Sequence, residues 1–117
     1  MSEEKSCQNC ANTCRKCKIK KHHALHSEGM AACAKGALAN AETKLREALE
    51  LARELGMVVL EANTLNSLGI VSSLSGGNEK AETCYIRALE LVDGKLGEDH
   101  FFHRTLNKNL AEARALG

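Results

Sequence analysis

Apolar residues recur every three or four positions in two separate stretches of the chain, residues 41–55 and 81–92. This spacing is typical of an amphipathic helix that buries one face. The apolar positions are Ala41, Leu45, Ala48, Leu49, Ala52 and Leu55 in the first stretch, and Ala81, Tyr85, Ala88, Leu89 and Val92 in the second. We predict a helix over each stretch. Asn40 and Asn78 are predicted N-caps, and Gly56 and Gly94 are predicted to end the helices.

The two stretches belong to an internal repeat with a period of forty residues. When residues 22–56 are placed over residues 62–96, eleven of thirty-five aligned positions are identical. Each unit is predicted to contain a helix, a short glycine turn and a second helix. Gly29 and Gly69 fall inside the first helix of each unit, where glycine costs about 1 kcal/mol relative to alanine. Two glycines in the same phase predict that a neighbouring helix approaches closely there.

The repeat resembles the tetratricopeptide repeat family. The residues that carry the resemblance are Leu25, Gly29, Gly36, Ala41, Leu45 and Ala48 in the first unit, and Leu65, Leu68, Gly69, Gly76, Ala81, Tyr85 and Ala88 in the second. A third candidate helix covers residues 104–116, and the spacing of the predicted helices is similar to that in the 42-residue repeats of kinesin light chains. The resemblance implies an all-α fold of antiparallel helix pairs, about two repeats plus a C-terminal capping helix, five helices in all. The polar outer side of that capping helix is predicted to comprise Arg104, Lys108, Glu112 and Arg114.

Composition supports helices, because the chain has no proline and only three aromatic residues. The net charge of +1 argues against a nucleic-acid binder that uses the whole chain. Residues 1–21 nevertheless hold six basic and two acidic residues. We therefore divide the chain into a basic, cysteine-rich segment at 1–21 and a repeat domain at 22–117. The first residues lack the apolar run of a signal peptide, and no stretch is apolar enough to span a membrane, so a cytoplasmic protein is expected.

Four of the six cysteines form a box, Cys7-x2-Cys10-x3-Cys14-x2-Cys17. Two such pairs in a reducing compartment indicate a metal site, and we predict structural zinc. His22, His23 or His26 is an alternative to one of the cysteines. In one straight helix the outer cysteines would lie about 15 Å apart, too far to share an ion, so zinc requires the chain to turn between Cys10 and Cys14. The alternatives are thiols packed as small apolar groups on a capping helix, and reversible disulfides.

No catalytic signature is found, and we expect a non-enzymatic adaptor that binds a protein or peptide. The resemblance implies that the first helix of each pair lines a concave groove. The groove residues carried over in this way are His23, His26, Met30, Cys33, Asn63, Asn66, Ile70 and Ser73, with Lys108 and Glu112 as an extension. Asparagine suits a peptide backbone because its amide both donates and accepts hydrogen bonds. The alternatives are nucleic-acid contact through residues 15–21 and redox sensing by the cysteines. A homodimer is also compatible with such a short array.

Overall fold

The computed structural model describes residues 14–97 and 99–116, and five helices account for most of them. They are α1 (Arg15–Ala34), α2 (Leu38–Leu55), α3 (Val58–Leu74), α4 (Asn78–Val92) and α5 (Phe101–Leu116). The predicted all-α fold of two helix pairs and a final helix is confirmed. Helix α1 begins at Arg15, so its first seven residues come from the stretch assigned by sequence to the cysteine-rich segment.

The helices and turns of the structure repeat with the same forty-residue period as the sequence. Helices α1 and α3 end at Ala34 and Leu74, forty residues apart. The turns that follow contain Gly36 and Gly76 at φ of 81° and 86°, a conformation that strains any residue with a Cβ. The same turn in both units returns the chain antiparallel to the helix it has just left.

The predicted helix starts were less accurate than the predicted stops. Asn40 lies inside α2, whose N-cap is Ala37, because the helix begins at Leu38. Asn78 is the first residue of α4 and follows the true N-cap, Gly77. Both N-cap assignments were therefore wrong. Gly56 is confirmed as the C-cap of α2, with φ of 66° in the left-handed region. The C-cap of α4 is Asp93, so Gly94, with φ of 82°, lies one residue beyond the cap.

The glycines inside α1 and α3 are the points of closest helix packing. A Cβ on Gly29 would lie 2.8 Å from Leu45 Cγ of α2. A Cβ on Gly69 would overlap the ring of Tyr85 on α4, with the Cζ atom 2.7 Å away. Both distances are well inside van der Waals contact, so only glycine fits without a shift. The close approach predicted from the sequence is confirmed in both units.

Helix α5 packs on α4 and covers the end of the core. Leu106, Leu110 and Ala113 are its buried residues. The four charged residues predicted for its outer side are all exposed, namely Arg104, Lys108, Glu112 and Arg114. The helix begins at Phe101, three residues before the predicted start, and the side chain of His100 caps it. His100 Nδ1 accepts the Phe102 N–H at 3.1 Å.

Candidate functional site

The first helices of the successive units, α1, α3 and α5, are joined by side-chain hydrogen bonds, and we call the surface that they share the inner face. His22 Nε2 lies 2.9 Å from Thr64 Oγ1, and His26 Nε2 lies 2.8 Å from Ser67 Oγ. These two bonds connect α1 to α3. On the other side of α3, Asn109 Nδ2 donates to Asn66 Oδ1 at 2.8 Å and connects α5. Helix α3 is therefore held from both flanks.

The hydroxyl groups on α3 define which histidine nitrogens carry hydrogen. Thr64 Oγ1 donates its own hydrogen to Leu60 O at 2.9 Å, so it accepts from His22 Nε2–H. Ser67 Oγ donates to Asn63 O at 3.3 Å and accepts from His26 Nε2–H in the same way. Both imidazoles thus serve as neutral donors across the helix interface.

Burial keeps these histidines uncharged. His22 is only 1% exposed, and its Nδ1 has no hydrogen-bond partner in the part of the chain that the structure describes. Burial, with smaller contributions from His26 and His23, lowers the pKa of His22 from 6.5 to about 4. The pKa of His26 is also lowered, again mainly by burial. A proton on His22 would place a charge at a buried atom without compensation.

The predicted groove residues lie along α1 and α3 with graded exposure. His23 and Asn63 are exposed, whereas the other members are half-buried, namely His26, Met30, Cys33, Asn66, Ile70 and Ser73. Two of them take part in the bonds that build the inner face, since His26 binds Ser67 and Asn66 binds Asn109. Asn63, one turn before Ser67 on α3, presents its amide to solvent.

Sequence reasoning missed four of the six residues that form the bonds between α1, α3 and α5, namely His22, Thr64, Ser67 and Asn109. On α5 it named Lys108 and Glu112 as the extension of the groove, but the structure brings the neighbouring Asn109 against Asn66. One available signal was the spacing of His22 and His26. Residues four apart share a helix face, and the two rings stack with centroids 6.0 Å apart.

The cysteine box is described in part. Cys7 and Cys10 lie outside the described residues. Cys14 is the N-cap of α1, with extended backbone angles of −75° and 158°, and its Sγ accepts the Cys17 N–H at 3.3 Å. Cys17 is buried in the first turn. Cys14 therefore lies just before the helix and Cys17 lies within it. The turn predicted between Cys10 and Cys14 falls outside the described residues.

Two of the basic residues that follow the box contact the C-terminal end of α2. Arg15 Nη1 donates to Leu55 O at 2.9 Å, and Lys18 Nζ lies 3.3 Å from the Glu54 carboxylate. Cations are favourable at the C-terminal end of a helix, where carbonyl groups lack partners. Lys20 and Lys21 remain exposed on α1. Within residues 14–97 and 99–116, no three His, Cys, Asp or Glu side chains are grouped so that they would hold a metal ion.

Comparisons with known proteins add no assignment. No protein-family model matches the chain, and no curated protein matches it. None of the helices in the described part of the chain is both long enough and apolar enough to cross a membrane.

Proposed function

We propose that this protein is a non-enzymatic interaction module that binds an extended peptide or protein segment on its inner face. The observation that carries the proposal is the exposed Asn63 amide on a helix that is hydrogen-bonded on both flanks. An amide side chain pairs with both the N–H and the C=O of an extended peptide. The resemblance to tetratricopeptide repeats supports the same face, because the first helices line the groove in that family.

Preorganisation is the physical advantage of this surface. The bonds from α1 and α5 restrain α3 before any ligand arrives, so binding requires little further ordering of the protein. The two histidines in those bonds are neutral at neutral pH because their pKa values are lowered. Asn66, with its oxygen occupied by Asn109, keeps its amide hydrogens for a ligand. The inner face therefore suits main-chain hydrogen bonding.

Selection from a random peptide library, followed by affinity measurement with fluorescence anisotropy, tests the proposal. We expect the selected peptides to bind Asn63→Ala about five- to tenfold more weakly, the usual effect of one lost hydrogen bond. Asn40→Ala is the matched control, because Asn40 is an exposed asparagine on α2. Peptides that bind the wild type and Asn63→Ala equally, or that respond equally to Asn40→Ala, would contradict binding on the inner face.

We also propose that Cys7, Cys10, Cys14 and Cys17 hold a structural zinc ion. The support from the described residues is the Cys14-x-x-Cys17 pair at the start of α1, where Cys14 caps the helix through its sulfur. Four thiolates would complete a tetrahedral site and leave no open position for a substrate. Zinc would then anchor the chain before α1 to the repeat.

Native mass spectrometry of the reduced protein, expressed with added zinc, tests this second proposal. We expect one zinc ion per chain, and a markedly lower occupancy in Cys14→Ser. Cys33→Ser is the control, because Cys33 lies near the other end of α1, outside the box. Metal-free wild-type protein under these conditions would refute the zinc site and leave the peptide-binding proposal intact.

A further inference from the structure

An apolar cavity of about 390 Å³ lies where α3 and α5 begin, next to the inner face. Five apolar side chains line it, namely Met57, Val59, Leu60, Leu96 and Phe102. Val59, one of these five, is 47% exposed. Exposed apolar side chains around a depression often mark a site of interaction.

Two polar side chains also border the cavity, and both are able to bind a peptide backbone. One is Asn63, the exposed amide on which the proposed function depends. The other is His100, whose Nδ1 accepts the Phe102 N–H and whose Nε2 therefore carries the hydrogen in the neutral ring. The cavity thus combines an apolar interior with one hydrogen-bond donor and one amide.

The described lining of this cavity contains no Lys, Arg, Asp or Glu. The larger cavity of about 560 Å³ between α2, α3 and α4 differs, since charged residues such as Glu42, Arg46 and Arg53 surround its apolar floor. A charged side chain seated against these five apolar groups would lose much of its hydration. An apolar side chain would instead gain from leaving water.

We infer that this cavity receives one bulky apolar side chain of the bound peptide, while Asn63 holds the backbone beside it. This inference rests on the proposed function, because the side chain belongs to the peptide that is proposed to bind the inner face. The cavity adds a sequence preference to the proposed peptide binding. One position of the peptide should be a residue such as leucine, isoleucine, methionine or phenylalanine, whereas the neighbouring positions contribute only main-chain hydrogen bonds. The cavity sets which peptides bind, and the asparagines set how the backbone lies.

The first test is a titration of the full chain with N-acetyl-leucine N-methylamide, in which binding is monitored by methyl NMR. We expect saturable shifts of the methyl groups of Val59, Leu60 and Leu96. The alanine analogue should bind about tenfold more weakly, because it buries less apolar surface. Val59→Asp should abolish the shifts at Leu60 and Leu96. Leu74→Asp is the matched control, because Leu74 is an exposed aliphatic residue at the other end of α3 and should leave them unchanged.

The library-selected peptides provide the second test. We expect an apolar residue at one fixed position, and an affinity reduced about tenfold or more by Val59→Asp but not by Leu74→Asp. Peptides that depend on Asn63 but not on Val59 would overturn the cavity assignment and leave the proposed function standing. Saturable methyl shifts without any Asn63-dependent peptide would show that the cavity binds apolar groups and would refute the proposed function. If neither methyl shifts nor Asn63-dependent peptides are found, both the cavity assignment and the proposed function are overturned.

Discussion

Replacing His22 should remove much of the pH dependence of stability. In the folded protein this imidazole donates to Thr64 and stays neutral down to about pH 4, whereas in the unfolded chain it takes up a proton near pH 6.5. Between those values the unfolded state binds more protons. Stability is therefore greatest above pH 6.5 and falls as the pH drops towards 4.

The size of the effect follows from the two pKa values. With 6.5 in the unfolded chain and about 4 in the folded protein, linkage predicts a loss of about 2 kcal/mol between about pH 7.5 and about pH 5. The fully developed loss, below both values, is about 3 kcal/mol. His26, whose pKa is lowered as well, acts in the same direction. The free energy of unfolding of the wild type should therefore fall, over the same pH range, by somewhat more than the contribution of His22 alone.

Urea unfolding at both pH values measures the effect. His22→Gln cannot titrate and can still donate to Thr64, so we expect its loss of stability between the two pH values to be about 2 kcal/mol smaller than that of the wild type. His23→Gln is the control, because His23 is exposed on the same helix and should leave most of the pH dependence in place. The reasoning fails if wild type and His22→Gln lose the same free energy, or if NMR titration places the pKa of His22 near 6.5.

Two further predictions concern packing. Gly69→Ala should lower stability by about 1–3 kcal/mol despite the better helix propensity of alanine, because the new Cβ overlaps the Tyr85 ring. Thermal unfolding of the single variant and of Gly69→Ala/Tyr85→Leu should show partial recovery in the double variant, and an unchanged melting temperature for Gly69→Ala would contradict the contact. Leu106→Ala should cost about 2–5 kcal/mol, because this side chain is fully buried. Leu116→Ala, at a residue that is 71% exposed, should change the free energy of unfolding by less than about 0.5 kcal/mol.

The fold was predictable where one local rule acts alone. Periodic apolar residues predicted the buried side of α2 in full and that of α4 except for Leu89, which is half-buried. The repeated phase of Gly29 and Gly69 predicted the close packing of the helices. Gly56 ended its helix as expected. The N-cap predictions at Asn40 and Asn78 failed because the turn after each glycine already leads into the helix, three residues earlier than the asparagine rule implies in the first unit and one residue earlier in the second.

The inner face was less predictable, because its contacts depend on how three helices lie side by side. His22 and Thr64 are 42 residues apart, and nothing local to either residue indicates that they meet. The sequence did place His26, Asn63 and Asn66 on the first helices, through a family resemblance. It did not distinguish those that bind neighbouring helices from Asn63, whose amide is exposed.

The fit of Gly69 under Tyr85, and of Gly29 under Leu45, implies a constraint on how sequences of this kind diverge. A side chain added on one helix must be matched by a smaller one on the other, so each pair should change together or not at all. Homologues with alanine at the position of Gly69 should carry a residue smaller than tyrosine at its partner position. Such paired substitutions would allow the two helix pairs to be recognised in sequences too divergent for the other repeat positions to align.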